Sequence, residues 1–349
     1  MISRELIKWY EKHKRDLPWR ATRNPYLIWL SEIILQQTRV EQGLPYYLKF
    51  VENFPTVADL AKASEEKLLK LWQGLGYYSR ARNLHFAAKT IVKEHNGVFP
   101  TTYSEIKKLK GVGDYTAAAI ASFAFDEPYA VVDGNVYRVL SRLFEINTPI
   151  NSATGKVEFM KLAQELLDVK NAASNNQAIM ELGAMVCKPK NPLCSSCCVR
   201  SYCYAFKNNS VQLFPVKEKK LKIRNRYFYY LVITDKKNNI ILNKRGANDI
   251  WQGLYDFPLI EHTESKPIES VLTSKEFKKT LSGKNVVKKI STYFLHQLSH
   301  QKIHAKFIEV VVSDCSKISF EENNRIVSLK KIKNYAIPRL IEKYWKERS

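Results

Sequence analysis

The amino-acid sequence predicts an all-helical first part followed by a smaller α+β part. Apolar residues recur at helical spacing before a polar, charged tract, and short β-branched and aromatic runs dominate after it. A chain of 349 residues with 45% hydrophobic content is also long enough to bury about two cores. We therefore expect one domain over residues 1–205, a basic linker over residues 206–226 and a second domain over residues 227–349.

Individual elements follow from the period of the apolar residues and from the prolines and glycines between them. Helices are predicted in the first domain at Glu5–Lys14, Tyr26–Val40, Ala81–His95, Tyr115–Phe125, Val136–Phe144 and Val157–Leu167. Strands are predicted in the second domain at Tyr227–Thr234, Ile240–Lys244, Ile290–Phe294 and His304–Val312, and helices at Ile268–Thr280 and Ile337–Lys346.

The charge of the chain points to a polyanionic partner. Lysine and arginine number 56 against 34 aspartates and glutamates, which gives a formal charge of +22. No stretch approaches the roughly 18 consecutive apolar residues that span a bilayer, so no membrane partner is expected. Nucleic acid is the first candidate, although a generally basic proteome would give the same composition.

Four cysteines, Cys187, Cys194, Cys197 and Cys203, follow one another with the spacing C-x6-C-x2-C-x5-C. Disulfides are disfavoured because the N-terminal residues do not read as a secretory signal peptide, so an oxidising compartment is not expected. Thiolates select zinc or an iron–sulfur cluster. Structural zinc sites usually have two tight cysteine pairs, whereas this run has one, so iron–sulfur is favoured and zinc stays open.

Glu32 is the first candidate catalytic residue. Its helix neighbours at the three-and-four spacing are largely apolar: Ile28, Trp29, Leu35 and Gln36. Burial raises the pKa of a carboxylic acid, so Glu32 could carry a proton near neutral pH and act as a general acid. The alternative is a glutamate that reaches solvent at the rim of the helix.

Asp133 is the second candidate, because it stands immediately before a predicted helix. Backbone N–H groups and the helix dipole would keep its carboxylate ionised, although an aspartate here could simply be an N-cap. A protonated and an ionised carboxyl together suit glycosidic bond cleavage, since one protonates the leaving group and the other stabilises the sugar cation.

A glycine hairpin, Leu109–Tyr115, contains Gly111 and Gly113. Glycines there allow the backbone to approach a phosphate closely, with N–H groups of the next helix pointing at it. A purely structural turn between helices is the alternative.

These features together resemble the MutY-type adenine DNA glycosylases over about residues 1–205. The resemblance is carried by Trp29–Thr38, Gly74–Tyr78, the hairpin, Asp133–Asn135 and the four cysteines. It implies a helix-hairpin-helix fold with a [4Fe–4S] cluster on a loop at residues 187–203. It also implies removal of adenine mispaired with 8-oxoguanine or guanine in double-stranded DNA.

The resemblance also implies the roles of individual residues. Glu32 would protonate the adenine, Asp133 would stabilise the sugar cation, and Tyr115 and Asn135 would position the reacting groups. The flipped adenine would lie against Arg15, Trp19, Arg20, Leu35 and Gln177. The DNA contacts would come from Gln37, Thr38, Leu75, Tyr77, Gly111 and Gly113.

Tyr115 has a further implication. The related endonuclease III enzymes carry a lysine at this position, which forms a Schiff base with the sugar and permits strand cleavage. Because this chain has tyrosine there, it looks like a monofunctional glycosylase that uses water as the nucleophile.

The last third resembles the Nudix-like domain with which that family helps to recognise 8-oxoguanine. The resemblance rests on Trp251–Pro258 and His296–His300, within which Ser299 and His300 would contact the lesion. No glutamate-rich metal-binding helix follows Gly253, so a second phosphohydrolase activity is not expected. Leu298 stands where the family commonly has phenylalanine.

The sequence therefore predicts a monofunctional adenine DNA glycosylase of base-excision repair, monomeric, cytoplasmic and associated with DNA. Two alternatives remain at this point. One is another mismatch or pyrimidine-lesion glycosylase on the same scaffold, which generally lacks the C-terminal domain. The other is a DNA-damage-binding protein without catalysis, against which the presence of both Glu32 and Asp133 argues.

Overall fold

A computed structural model describes residues 2–218, 223–281, 285–318 and 323–348. Contacts divide the chain into two compact units, Met1–Lys62 with Asn83–Lys219, and Ala63–Arg82 with Lys220–Ser349. Residues 63–82 lie inside the predicted first domain but group with the second unit. Residues 219–222 of the predicted linker lie outside the described ranges.

The helices, in chain order, are α1 (Ile2–His13), α2 (Pro25–Leu35), α3 (Val40–Asn53), α4 (Val57–Lys62), α5 (Glu65–Trp72), α6 (Ser79–Glu94), α7 (Tyr103–Lys108), α8 (Asp114–Phe125), α9 (Gly134–Phe144), α10 (Ala153–Glu165), α11 (Ala172–Met185), α12 (Tyr204–Lys207), α13 (Ile268–Leu272), α14 (Lys275–Thr280) and α15 (Arg339–Arg348). The strands are β1 (Arg224–Asp235), β2 (Asn239–Lys244), β3 (Tyr255–Asp256), β4 (Leu259–His262), β5 (Asn285–Ile290), β6 (Phe294–Gln297), β7 (Gln301–Val312) and β8 (Asn324–Ser328). The predicted fold class, a helical domain followed by an α+β domain, is confirmed.

Helices α2, α8, α9 and α11 pack together in the first unit and carry about half of the residues that line the candidate site. Helix α2 starts where Asn24 accepts a hydrogen bond from the Tyr26 backbone N–H, with Pro25 in the first turn, where proline removes no needed donor. Almost every residue of α2 is buried, and the alanine-rich α8 allows the close approach that buries it. The site is thus built on the core of the unit.

The second unit is a mixed sheet with helices on both faces. Its main strand order is β3-β2-β1-β7-β5, and β1 runs parallel to β7 with Arg224 opposite Gln301. Phe228 and Tyr230 of β1 pack on the face covered by α15, whereas Tyr229 and Leu231 pack on the face covered by α13 and α14. This alternation is the period-two pattern of a strand buried on both faces.

Several predicted elements were wrong in their bounds. The strand predicted at Ile290–Phe294 is the break between β5 and β6, and the helix predicted at Ile268–Thr280 is two short helices. The helix predicted at Tyr26–Val40 ends at Leu35, where Gln36 leaves the helical region and Gln37 has φ +54°. Helices α3, α4, α5, α7, α11 and α12 were not predicted.

No helix in the described ranges is both long and apolar enough to cross a membrane.

Candidate active site

A cavity of about 630 Å³ opens in the first unit, within the size range of small-molecule sites. Its lining includes all four predicted catalytic residues, all five predicted adenine-binding residues, and Gln37 and Thr38. These residues come from widely separated parts of the chain, so the fold brings together what the sequence only suggested. Their roles remain predictions.

Glu32 lies on α2 with only 9% of its surface exposed. Burial raises the pKa of its carboxyl from an ordinary 4.5 to about 7, and the negative charge of Asp133 adds to the shift. A hydrogen bond from Tyr115 acts in the opposite direction. Glu32 can therefore hold a proton near neutral pH and still release it, as a general acid requires.

Tyr115 lies on the first turn of α8, directly after the glycine hairpin. Burial and the nearby charges of Glu32 and Asp133 raise the pKa of its phenol well above the ordinary value. The hydroxyl consequently stays protonated and donates to Glu32. Tyr115 thus fixes the direction of the Glu32 carboxyl at the cavity wall.

Asp133 caps α9. Its Oδ1 accepts from the backbone N–H groups of Asn135 and Val136, both at 2.8 Å, and its Oδ2 accepts from the Asn135 amide at 2.8 Å. These bonds favour the ionised form, as the sequence suggested, but burial has the larger effect on the pKa of Asp133. Burial raises the pKa, and the hydrogen bonds only oppose that effect. The bonds do fix both carboxylate oxygens in place.

Arg138 links this cap to the cysteine loop. It is 8% exposed, and its Nη2 donates to Asn135 Oδ1 at 2.9 Å while its Nε donates to the Cys187 carbonyl at 2.7 Å. Asn135 is therefore held on one side by Asp133 and on the other by Arg138. The orientation of the Asn135 amide follows from these two bonds.

Glu181 was missed by the sequence analysis, although it lines the same cavity. Its carboxylate is 1% exposed and accepts from Arg15 Nη2 at 2.7 Å and Arg20 Nη2 at 2.8 Å, among five such bonds. Burial alone would raise the pKa of Glu181, but the hydrogen bonds from Arg15 and Arg20 lower it to about 2. Glu181 thus holds both predicted adenine-binding arginines in fixed positions.

Gln177 is held by a residue of α1. The Tyr10 hydroxyl donates to Gln177 Oε1 at 2.7 Å, and the Arg20 guanidinium lies 5.5 Å from the centre of the Tyr10 ring. Trp19 is buried and packs edge-on against Tyr47 at 5.0 Å. The predicted adenine-binding wall is therefore held by contacts within the protein.

The glycine hairpin connects α7 to α8. Gly111 has φ +81°, and a Cβ at this position would lie 2.7 Å from the Asn83 side chain, so no other residue fits without a shift. Gly113 precedes α8 as its N-cap and is exposed. The hairpin is therefore exposed at the N-terminus of α8, and its contact with a phosphate stays a prediction.

The other predicted DNA-contact residues lie in the second unit. Leu75 is buried, whereas Tyr77 is 47% exposed and has φ +46°. Ser299 and His300 are exposed in the turn between β6 and β7, and the Tyr77 hydroxyl lies 2.6 Å from Ser299 Oγ. Leu298 packs partly buried against the core of the sheet, which anchors this turn.

The four predicted ligand cysteines line one small cavity with Arg142, and Cys198 is not in its lining. Arg142 is 2% exposed and donates to Cys187 Sγ at 3.3 Å and to the Lys188 carbonyl at 2.8 Å. All six cysteines are free thiols. Four thiols beside the buried Arg142 are suited to bind a metal ion or a metal cluster as thiolates, because the positive charge of Arg142 offsets the negative charge of the thiolates.

Two family models match the chain. The HhH-GPD superfamily of base excision DNA repair proteins matches residues 30–167, and the NUDIX domain matches residues 229–347. An adenine DNA glycosylase of Buchnera aphidicola subsp. Baizongia pistaciae is 36% identical over 326 residues, which is 92% of this chain and 89% of that protein.

The chain belongs to the adenine DNA glycosylase family. The human adenine DNA glycosylase is 46% identical over 209 residues, which cover 57% of this chain and 38% of that protein. Among solved structures, a thermostable thymine-DNA glycosylase has a TM-score of 0.55 and 28% identity, over 59% of this chain and 95% of that one. That match leaves 41% of this chain uncovered, whereas the Buchnera relative spans nearly all of it.

For a member of this family, Tyr115 makes the fate of the DNA strand testable. Because the first turn of α8 presents a phenol in place of an amine, we expect product strands to stay intact until alkali or heat breaks the abasic site. Denaturing electrophoresis with and without alkali measures this. Tyr115→Lys is the matched variant and should gain some borohydride trapping. Efficient trapping of the wild-type enzyme would contradict a water nucleophile.

Proposed function

We propose that this chain removes adenine mispaired with 8-oxoguanine, or with guanine, from double-stranded DNA. The observation that carries the proposal is the cavity in which Glu32 and Asp133 face the same space. Cleavage of a glycosidic bond typically uses two carboxyl groups. Here one carboxyl has a pKa of about 7, and the second is held in place by three hydrogen bonds.

In the proposed reaction, Glu32 donates its proton to the adenine ring as the bond between base and sugar breaks. The bonding electron pair leaves with the adenine, and a positive charge develops on the sugar. Asp133 stabilises this charge, and a water then bonds to the sugar carbon and gives a proton to the ionised Glu32 carboxylate, which restores the acid. Tyr115 and Asn135 keep the two carboxyls in position through the hydrogen bonds already described.

We propose that Arg15, Trp19, Arg20, Leu35 and Gln177 receive the flipped adenine, and that Glu181 belongs to the same wall. Extrusion costs less for a mispaired nucleotide, which is one source of selectivity. Gln37 and Tyr77 are proposed to enter the duplex. Both hold left-handed backbone conformations, which non-glycine residues adopt at a cost of about 1–3 kcal/mol when structure imposes them, typically at functional sites.

We propose that Cys187, Cys194, Cys197 and Cys203 hold a [4Fe–4S] cluster. The four thiols line one small cavity beside the buried Arg142. What favours a cluster over zinc is the spacing of the run, which has one tight cysteine pair where structural zinc sites usually have two. The cluster would order the loop that carries Lys188, Lys190 and Arg200 beside DNA.

The pair of neighbouring cysteines tests this assignment. Cys197→Ser removes a proposed ligand and should lower the iron and sulfide content and the visible absorption of the purified protein. Cys198→Ser is the matched control and should keep both, because Cys198 is outside the cavity. Anaerobic purification followed by metal analysis decides the matter. Stoichiometric zinc without sulfide in the wild type would overturn the cluster.

Ser299 and His300 are proposed to read the 8-oxoguanine. They are exposed in the turn between β6 and β7, and Ser299 is hydrogen-bonded to Tyr77, which is itself proposed to enter the duplex. A neutral hydrogen bond typically contributes about 0.5–1.5 kcal/mol, so loss of two bonds in Ser299→Ala with His300→Ala should lower the preference for 8-oxoguanine:adenine over guanine:adenine by roughly five- to 150-fold.

A single-turnover assay on duplexes that differ only in one base pair tests the whole proposal. Adenine release should be fastest opposite 8-oxoguanine, slower opposite guanine and undetectable opposite thymine. Release of thymine from a guanine:thymine duplex instead would favour a thymine-mismatch glycosylase. Tight binding without release of any base would favour a damage-binding protein. We expect the active form to be a monomer acting on DNA in the cytoplasm.

A further inference from the structure

The loop that carries Tyr77 has a backbone conformation that residues other than glycine rarely adopt. Gly74, Gly76 and Tyr77 all have positive φ, at +100°, +76° and +46°. Glycine adopts this conformation freely, but tyrosine does not, so the surrounding structure must hold Tyr77 there. The contacts that do so determine where the phenol points.

Arg80 contacts Tyr77 and the residues of its loop in several ways. Its guanidinium lies 5.6 Å from the centre of the Tyr77 ring and 5.1 Å from that of the Trp72 ring. Its Nη2 donates to the Gly76 carbonyl at 3.2 Å, and its backbone N–H donates to the Tyr77 carbonyl at 2.9 Å. One residue therefore touches both the ring and the backbone of the loop.

Burial of Arg80 strengthens these contacts. Arg80 is 8% exposed, and burial lowers the pKa of its guanidinium to about 10, so it remains charged at neutral pH. A desolvated cation is attracted to an aromatic ring more strongly than a cation at an exposed site. By contrast, Glu66 in the same unit is half exposed, and its ion pairs with Lys244 and Arg325 contribute little to stability.

We propose that Arg80 is a positioning residue for lesion recognition, which holds Tyr77 so that its hydroxyl meets Ser299. The inference rests on the proposed function, because it assumes that Ser299 reads the base opposite the adenine. A serine hydroxyl has one donor and two acceptor positions, and the contact of Ser299 Oγ with the Tyr77 hydroxyl at 2.6 Å occupies one of them, which leaves the others for the lesion. Loss of Arg80 releases the ring, and Ser299 then loses its fixed orientation.

The test compares Arg80→Met with Arg82→Met, two variants that each remove one positive charge. Arg82 lies two positions away and donates to the Gln252 carbonyl at 2.8 Å instead of stacking on Tyr77. Single-turnover rates on 8-oxoguanine:adenine and guanine:adenine duplexes should show that Arg80→Met lowers the ratio of the two rates roughly two- to tenfold, the range of one hydrogen bond. Arg82→Met should leave the ratio unchanged.

A second comparison tests whether Arg80 acts through the Tyr77 hydroxyl or only stabilises the fold. Tyr77→Phe removes only the hydroxyl, so adding Arg80→Met to it should change the ratio little further if both act through the same bond. Arg80→Lys keeps the charge and should recover part of the ratio, and it serves in place of Arg80→Met if that variant does not fold.

The inference is overturned if folded Arg80→Met keeps the full wild-type ratio, or, where that variant does not fold, if Arg80→Lys keeps it. It is also overturned if the rates on both duplexes fall by the same factor while the melting temperature falls. A wild-type enzyme without any preference for 8-oxoguanine would instead refute the proposed function, so the two failures are distinguishable.

Discussion

Replacing Glu32 with glutamine is expected to abolish adenine release while leaving duplex binding nearly unchanged. Glutamine has the same shape and can accept the hydrogen bond from Tyr115, but it has no proton to give to the leaving base. General acid catalysis typically contributes 10²- to 10⁴-fold, so the single-turnover rate should fall by at least about a hundredfold. Gel-shift titration at equal salt concentration measures the binding.

The pH dependence of the wild-type rate should follow the same carboxyl. A general acid works only while protonated, and burial raises the pKa of Glu32 to about 7. The single-turnover rate should therefore fall as the pH rises through about 7. A Glu32→Gln variant with near wild-type activity, or a wild-type rate that is flat from pH 6 to pH 8.5, would refute the assignment.

Stability provides an independent check on Glu32. The unfolded chain gives its carboxyl a pKa near the ordinary 4.5, whereas the folded chain gives it about 7. Below pH 4.5 both states hold the proton, and the residue has no cost. Above that pH the folded state is penalised increasingly, up to about 3 kcal/mol beyond pH 7. Glu32→Gln should therefore melt at a higher temperature than wild type at pH 8, with a smaller difference at pH 5.

The sequence was most informative where one helix or one loop carried the signal. Glu32 could be placed in an apolar stripe because α2 is a continuous helix, and Asp133 could be recognised as a cap because it directly precedes α9. The prediction of a metal-binding loop rested on the spacing of the four cysteines. In each of these cases the neighbours that reveal the residue lie within about one helical turn or one loop, so the local pattern is enough to single it out, although Glu32 also interacts with the distant Tyr115 and Asp133.

Glu181 shows where such reasoning ends. Its hydrogen bonds reach Arg15 and Arg20, which are 166 and 161 positions away in the chain. A lone glutamate in a helix gives no local sign of so distant a partner. Helix α3 was missed for a different reason, because Gly43 and Pro45 interrupt its apolar pattern. The Gly43 backbone packs against Leu35, since a Cβ there would lie 2.6 Å from that side chain.

The grouping of residues 63–82 with the C-terminal sheet was also beyond the sequence. Tyr255 donates to Glu66 at 2.7 Å, and Lys70 donates to the Tyr335 carbonyl at 3.0 Å. Gly253 has φ +81°, and a Cβ there would lie 2.8 Å from Glu65. The motif that resembles a Nudix segment therefore supports close packing against α5, a use that its residue types alone do not reveal.

Asp133→Asn is expected to slow adenine release by at least about a hundredfold without unfolding the protein. Asparagine is as good an N-cap as aspartate, so the bonds from the backbone N–H groups of Asn135 and Val136 can persist. What disappears is the negative charge beside the developing sugar cation, and losing one preorganised electrostatic contact of this kind typically costs 10²- to 10³-fold in rate. The single-turnover rate of Asp133→Asn should therefore fall, while its melting temperature stays close to that of the wild type.

A pH profile of the same variant distinguishes a catalytic charge from a cap. The charge of Asp133 contributes to raising the pKa of Glu32, so its removal should lower that pKa and move the residual activity of Asp133→Asn towards lower pH. Asn135→Ala serves as the comparison, because it removes a hydrogen bond to Asp133 but keeps the charge. If Asp133→Asn binds DNA weakly, yet releases adenine from bound duplex at the wild-type rate with an unshifted profile, Asp133 is only a cap. The sugar cation must then be stabilised by another group in the cavity.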